Sequence, residues 1–179
     1  MKAFFVSLLA IVAACGPGRA IFNVDVYSFM AGTGKDTIPY LIPPATSATV
    51  STFQKITLPP GFGSSGVDSV RITSGNANLI NASGTGTIGF QLFFAADSAG
   101  TISAPAALNI PATSVTGAQT VPVPISGDLS SAVDSLFTQA TVWMRIAATG
   151  TNASLTTAVT GKGVITALQI RIVLRDKIF

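Results

Sequence analysis

The sequence predicts an all-β fold, an antiparallel two-sheet β-sandwich of immunoglobulin-like or jelly-roll-like kind with at most one short helix, over residues 21–179. Three observations carry that expectation. Apolar residues recur at every second position through most of the chain, the spacing of strands with one buried face. Short runs rich in Gly, Pro, Ser and Asn separate these stretches, as turns require. Only one window, 128–139, changes to helical spacing. Charged residues make up 9% of the 179 and hydrophobic residues 48%, so the chain can fill one full core but has little charge to spend on its surface.

Taken in order, residues 21–30 alternate, with Phe22, Val24, Val26 and Met30 on one face, and form the first expected strand. Residues 31–44 hold Gly32, Gly34, Pro39, Pro43 and Pro44, a density of breakers that predicts an irregular loop tipped by Tyr40, Leu41 and Ile42. A second strand is expected over 48–58, with Val50, Ile56 and Leu58 in phase, closed by a tight loop at Pro59-Pro60-Gly61-Phe62-Gly63. Short strands follow at 67–73 and 79–80, split by a turn at Ser74-Gly75-Asn76. Residues 87–95 keep strict period two through Ile88, Phe90, Leu92 and Phe94, with Phe93 opposite. So aromatic a strand belongs inside a sheet, since burying each such side chain is worth about 1.5–3 kcal/mol.

Residues 97–120 predict a long surface connection with a small strand at 108–110. Val121-Pro122-Val123-Pro124-Ile125 fits a sheet edge, because proline cannot donate to a ladder. Leu129, Val133, Leu136 and Phe137 behind a capping Asp128 predict the one helix. Period two returns over 140–148, where Val142, Met144 and Ile146 oppose Trp143 and Arg145. A turn at Gly150, a strand over 153–160 and a turn at Gly161-Lys162-Gly163 are expected next. The last strand puts Val164, Leu168, Ile170, Ile172 and Leu174 inward, with Gln169, Arg171 and Arg175 outward. Periodicity by itself leaves a sandwich and a barrel both open.

Met1-Lys2 precedes an uncharged run over 3–14 that closes in Val12-Ala13-Ala14-Cys15, and Cys15 is the only cysteine. This stretch resembles the lipobox of bacterial lipoproteins. The resemblance covers about the first twenty residues, and no family is recognised for the domain that follows. It implies a signal peptide over 1–14, cleavage before Cys15, a diacylglycerol on the Cys15 thiol and a lipidated tether over 15–20. It also implies export, to the outer side of the cytoplasmic membrane or to the outer membrane. The apolar run is shorter than the roughly 20 residues a bilayer span needs. An alternative is an ordinary secretory site at Gly18-Arg19-Ala20, which would release a soluble chain beginning at Ile21.

Most catalytic and nucleotide-binding classes find no support. Ten basic and seven acidic side chains, with no basic run, do not indicate nucleic acid. Without histidine, Ser-His-Asp and Cys-His arrangements are excluded. Gly84 to Gly89 and Gly61 to Gly66 match G-x-G-x-x-G, but both run toward strands, whereas a dinucleotide site needs a helix N-terminus there. Gly32-Thr33-Gly34-Lys35 lacks a P-loop's first glycine, where Phe29 stands, and its Ser/Thr, where Asp36 stands. The seven aspartates mostly sit beside Ser, Thr or Gly, where their side chains bond local backbone, and no Asp-x-Asp pattern suggests a metal. No cofactor is expected, and an Asp-dependent hydrolase ranks third. Asn81-Ala82-Ser83 and Asn152-Ala153-Ser154 would mark surface positions in a host that glycosylates asparagine, but in so Ser-rich a chain they are read as coincidence.

What remains is a lipid-anchored, non-enzymatic cell-envelope protein with a structural or protein-binding role. Its expected partners are the membrane, through the lipid on Cys15, and another protein. The alternative is a carbohydrate- or hydrophobic-ligand-binding module. Tyr40, Leu41, Ile42 and Phe62, on apolar loop tips that either pack onto the sandwich or project, and Trp143, on an outward strand phase where it either packs under the long connection or is free, are the candidate contact residues.

Overall fold

The computed structural model describes residues 19–58, 66–130 and 135–175. Within them the strands are β1 (Arg19–Asp25), β2 (Thr37–Ile42), β3 (Ser47–Thr57), β4 (Gly66–Ser83), β5 (Thr85–Ala95), β6 (Leu108–Thr116), β7 (Gln119–Pro124), β8 (Gly127–Asp128), β9 (Thr141–Asn152) and β10 (Val159–Arg175). All pair antiparallel. In one sheet β10 and β4 form the centre; β1 and β2 lie end to end along the outer edge of β10, and β7 and β8 along that of β4. The other sheet runs β3–β9–β5–β6.

The pairings are nested. β1 and β2 join β10, β3 joins β9, β4 joins β7 and β8, and β5 joins β6, as if one long hairpin had been folded up. Rolling that hairpin adds the remaining contacts, β10 with β4 and β9 with β5. This is jelly-roll connectivity, and it decides between the sandwich types that periodicity left open. The inner faces meet in one core, where Val142, Met144 and Ile146 of β9 and Ile88, Phe90, Leu92 and Phe94 of β5 are buried with Val70, Ile72 and Leu79 of β4 and Leu168, Ile170, Ile172 and Leu174 of β10. β5 is interior to its sheet, as its aromatic content requires.

Several expected turns are instead strand. β4 runs straight through Ser74-Gly75-Asn76. Its inward phase changes there: Val70 and Ile72 are buried, Thr73 and Ser74 are both exposed, and Ala77, Leu79 and Asn81 are buried. A Cβ on Gly75 would stand 2.6 Å from the Ile125 carbonyl oxygen, so this glycine serves a close backbone approach rather than a turn. A register shift between Ile165 and Ala167 does the same to β10, so Ile165, not Val164, points inward ahead of Leu168. Gly161 and Gly163 lie inside β10, covered by the rings of Tyr40 and Phe90. Gly150 lies inside β9 beneath Ile42 and Ile88, and 153–158 is a loop rather than a strand.

The expected loop tip at 40–42 is strand β2, which tolerates Pro39 because it is an edge. Tyr40 and Ile42 are buried and Leu41 is exposed, so these three do not form a contact loop. In the 97–120 connection, β6 is nine residues long rather than three, and Gly100–Ser103 forms a single helical turn, α1. Of the expected helix over 128–139, Asp128 belongs to β8 and Leu136–Thr138 is a 3-10 turn; 131–134 lie outside the described residues. Leu129 and Phe137 are buried as that spacing demands. The first strand starts earlier than expected, taking Arg19 and Ala20 from the tether, and ends at Asp25, where the Ser28 hydroxyl donates to the Asp25 carbonyl at 2.7 Å and a 3-10 turn begins.

Both asparagines of the glycosylation motifs are buried, at 2% and 3% exposure, as suits motifs that arise by coincidence rather than as surface acceptor sites. The Asn81 amide donates to the carbonyls of Ser83 (3.2 Å), Gly84 (3.1 Å) and Gly117 (2.6 Å), while its oxygen accepts the Tyr40 hydroxyl at 3.1 Å. Burial pushes the Tyr40 phenol pKa up, which keeps that donor protonated. The Asn152 amide donates to Ile42 (3.1 Å), Pro43 (3.2 Å) and Thr157 (2.8 Å), and its oxygen accepts the Ser154 N–H at 2.9 Å. At the opposite end, Asp68 receives Arg175 at 2.6 Å and Arg19 at 3.4 Å, fastening β1 and β10 to β4. The Arg175 hydrogen bond holds the Asp68 carboxyl below its ordinary pKa.

Ile170→Asp should unfold the domain, because Ile170 is fully buried and the new charge has no partner, whereas Arg171→Asp on the wet face should fold; circular dichroism melts compare them. Asn152→Ala should cost about 2–3 kcal/mol by leaving turn carbonyls without a donor, and Asn152→Asp should cost more as pH rises above about 4, since the carboxylate faces the same carbonyls; denaturant unfolding at several pH values checks both. Asp68 contributes stability that is complete above its unfolded pKa of about 3.9 and lost as pH falls through its lower folded value. The protection factors of the β1 amides, each taken against its intrinsic exchange rate at the same pH, should therefore fall in acid, and Asp68→Asn should remove that acid dependence.

Candidate functional site

On β9, Trp143, Arg145, Thr149 and Thr151 occupy the outward phase, opposite Val142, Met144 and Ile146. Cross-strand neighbours extend this face: Trp143 pairs with Lys55 and Ala95, and Arg145 with Phe53 and Phe93. The Arg145 guanidinium stacks on the Phe93 ring, 3.7 Å from its centroid. Its Nε donates to the Thr101 carbonyl at 3.0 Å and Nη1 reaches the Ser51 hydroxyl at 3.4 Å. Burial lowers its pKa from the ordinary arginine value, yet a guanidinium stays charged in a protein. The stack thereby fastens α1 onto the sheet, and the turn is closed by the Asp97 carboxylate accepting the Gly100 N–H at 2.6 Å and by the Thr101 hydroxyl donating to Ser98 at 2.7 Å.

Beside this clamp lies an open dish of about 440 Å³ lined by Phe53, Ser98, Ala99, Ile102 and Trp143. Ile102 is 69% exposed. Lys55 stands across from Trp143, and the Lys35 ammonium donates to the Phe53 carbonyl at 3.0 Å, so the aromatic floor has a cationic border. Of the sequence-derived candidates, Trp143 alone lines this site. Tyr40 and Ile42 serve the core, Leu41 is exposed on the other sheet, and Phe62 lies outside the described residues. Sequence reasoning missed Phe53, Ile102 and Arg145. Only Phe93, opposite the inward phase of its strand, pointed to an apolar patch on the outer face.

Farther along the same face the chemistry changes. A shallow trough of about 280 Å³ has Gly89 at its base, with Thr87, Gln91, Asn109, Ala112, Thr149 and Thr151 around it. No charged side chain lines it. Hydroxyls bond in pairs across strands, Thr49 with Thr149 at 3.1 Å and Thr87 with Thr151 at 2.7 Å, and the Gln91 amide donates to Asn109 at 2.7 Å. Among the described residues, a void of about 10 Å³ between the sheets is apolar and too small for a ligand.

The five described aspartates are each held in structural bonds. Asp68 and Asp128 pair with arginines, Asp25 and Asp97 accept local backbone N–H groups, and Asp36 accepts the Thr37 hydroxyl. Asp128 lies below its ordinary pKa, chiefly through the Ser130 hydroxyl. Among the described residues no cluster of His, Cys, Asp and Glu could hold a metal ion, and no helix is long and apolar enough to cross a membrane.

No family model matches the chain. No curated protein sequence matches it either. Among solved structures it is similar to that of infectious bursal disease virus Gx strain, with TM-score 0.44 and 8% identity over 90% of this chain and 33% of that one. The chain thus spans about a third of that viral protein. It is also similar to Desmodium yellow mottle tymovirus (TM-score 0.32, 10% identity, 90% of this chain and 89% of that one) and to the Yersinia pseudotuberculosis-derived mitogen (TM-score 0.26, 8% identity, 92% and 90%). The jelly-roll assignment rests on the strand order of this molecule and not on these likenesses.

The clamp gives a direct test of the dish. Arg145→Met should keep the fold but release α1, raising hydrogen exchange over 99–104 and exposing the Trp143 indole, which its fluorescence would report as a shift to longer wavelength.

Proposed function

We propose that the protein is a non-enzymatic binding module of the cell envelope, held at the membrane by a lipid on Cys15, that meets a protein partner through the Trp143 dish. The observation that carries this reading is the dish itself. Phe53, Trp143 and Ile102 form an apolar floor on rigid strands and a clamped turn, bordered by Lys35 and Lys55. Aromatic anchors dominate interface energetics, and anchors already fixed in place lose little entropy on binding. The lysine border favours a partner with acidic groups around its own apolar contact.

A second reading, carbohydrate binding, is favoured by the trough around Gly89. Its Thr, Gln and Asn side chains offer neutral donors and acceptors without a single charge, which suits hydroxyl-rich ligands.

Cys15→Ser should move the protein from the membrane fraction to the soluble fraction or stall its processing; unchanged membrane association would overturn the anchor. Trp143→Ala should weaken partner capture from the native host at least about tenfold while shifting the melting temperature by only a few degrees. Retention on a neutral polysaccharide column that survives Trp143→Ala and is lost with Asn109→Ala would favour carbohydrate instead.

A further inference from the structure

Sheet edges are where a β-protein is open to another chain, because each edge presents a row of unpaired backbone groups. Here the edges are blunted unequally. β1 has only seven residues between Arg19 and Asp25, and β2 contains Pro39. β7 contains Pro122 and Pro124, and β8 is two residues long. β6 contains Pro111 and a register shift. β3 has eleven residues, no proline and an unbroken register from Thr57 against Thr141 to Ser47 against Thr151.

The alternation of the ladder identifies which β3 groups face outward. Leu58 N–H and Thr46 C=O, at its two ends, bond to the β9 side, so even-numbered residues face β9 and odd-numbered ones the free edge. Two outward carbonyls are already occupied: Phe53 by the Lys35 ammonium at 3.0 Å and Lys55 by the Gln54 amide at 2.7 Å. The run Ser47, Thr49 and Ser51 has no such cap among the described residues. Beneath it, Ala48 and Val50 pack on the core only half-buried.

We propose that two copies of the chain pair antiparallel through this edge, about a two-fold axis at Thr49. That register sets Thr49 against the second copy's Thr49 and Ser47 against its Ser51, small hydroxyls on the outer face, and sets Ala48 against Val50 on the inner one. It leaves the Lys35 and Gln54 caps in place, brings no like charges together and covers Ala48 and Val50. The contact is self-complementary, as a two-fold interface must be. It fits a copy of this chain better than an unrelated segment, because the uncapped stretch is short and matches itself in length and size. The two four-stranded sheets then continue into one, with a Trp143 dish on each half. This pairing stands independently of any ligand of the dish.

Cysteine cross-linking and light scattering on the full chain, purified in detergent, test it. Facing Cα atoms of a hydrogen-bonded antiparallel pair lie about 5.5 Å apart, within disulfide reach. Under mild oxidation Thr49→Cys should give at least about five times the dimer of the wild-type chain, whereas Lys55→Cys should not exceed it, its two thiols being about 40 Å apart. Thr49→Pro, which removes an outward N–H and no inner ladder bond, should be monomeric by light scattering and keep its melting temperature to within a few degrees. A monomeric wild-type chain, equal cross-linking at positions 49 and 55, or a Thr49→Pro variant that still dimerises would overturn the proposal.

Discussion

The turns at one end of the sandwich converge carbonyl oxygens that no ladder can satisfy, and a buried backbone acceptor without a donor costs about as much as a lost hydrogen bond. Two carboxamides meet that demand. Asn81 joins the β4–β5 turn to the β6–β7 turn and to Tyr40 of β2, and Asn152 joins the β2–β3 turn to the β9–β10 loop. An amide suits both places because it donates twice and accepts at its oxygen, where a carboxylate only accepts and a hydroxyl has one proton. The sandwich can therefore close over its core without water at that end. Tyr40 and Ile42 are held in β2 by the same bonds, which is why a segment rich in breakers still forms a strand.

Alternation was legible wherever one face is buried and the register runs unbroken, as where β5 meets the first half of β9. It failed where the phase changes within a strand. Thr73 and Ser74 are consecutive outward residues, and two such residues around a glycine look the same as a turn when only the sequence is in view. Glycine misled for a related reason. Gly150, Gly161 and Gly163 are small because isoleucine or aromatic side chains from other strands occupy the space a Cβ would need, and that demand comes from tertiary packing. The helical spacing of Leu129 and Phe137 correctly marked buried positions, although Asp128 belongs to a strand.

The outward face was half legible. Trp143 fell on an exposed phase, which identified it as a contact candidate, but its surroundings come from β3 and the turn over 98–102, both distant in sequence. Arg145 could not be separated in the sequence from any other outward arginine. Its role follows from a cation resting on the Phe93 ring while its remaining donors reach α1 and β3, so that one side chain sets the wall of the dish. Apolar area on this face is thereby confined to a pre-shaped depression, with hydroxyls and amides covering the rest of the sheet.

The nesting of the strands also bears on when the molecule can form. Its outermost pairing joins Arg19 to Arg175, so the β1 edge of that sheet has no partner until residue 175 has been made. Closing such distant segments is slow, because loop entropy is lost before the contacts repay it. Under the proposal that Cys15 carries a lipid, the chain is exported, and slow closure suits passage through an export channel unfolded. Under that proposal the strands made earlier wait for β10, whose pairing with β1, β2 and β4 completes their sheet.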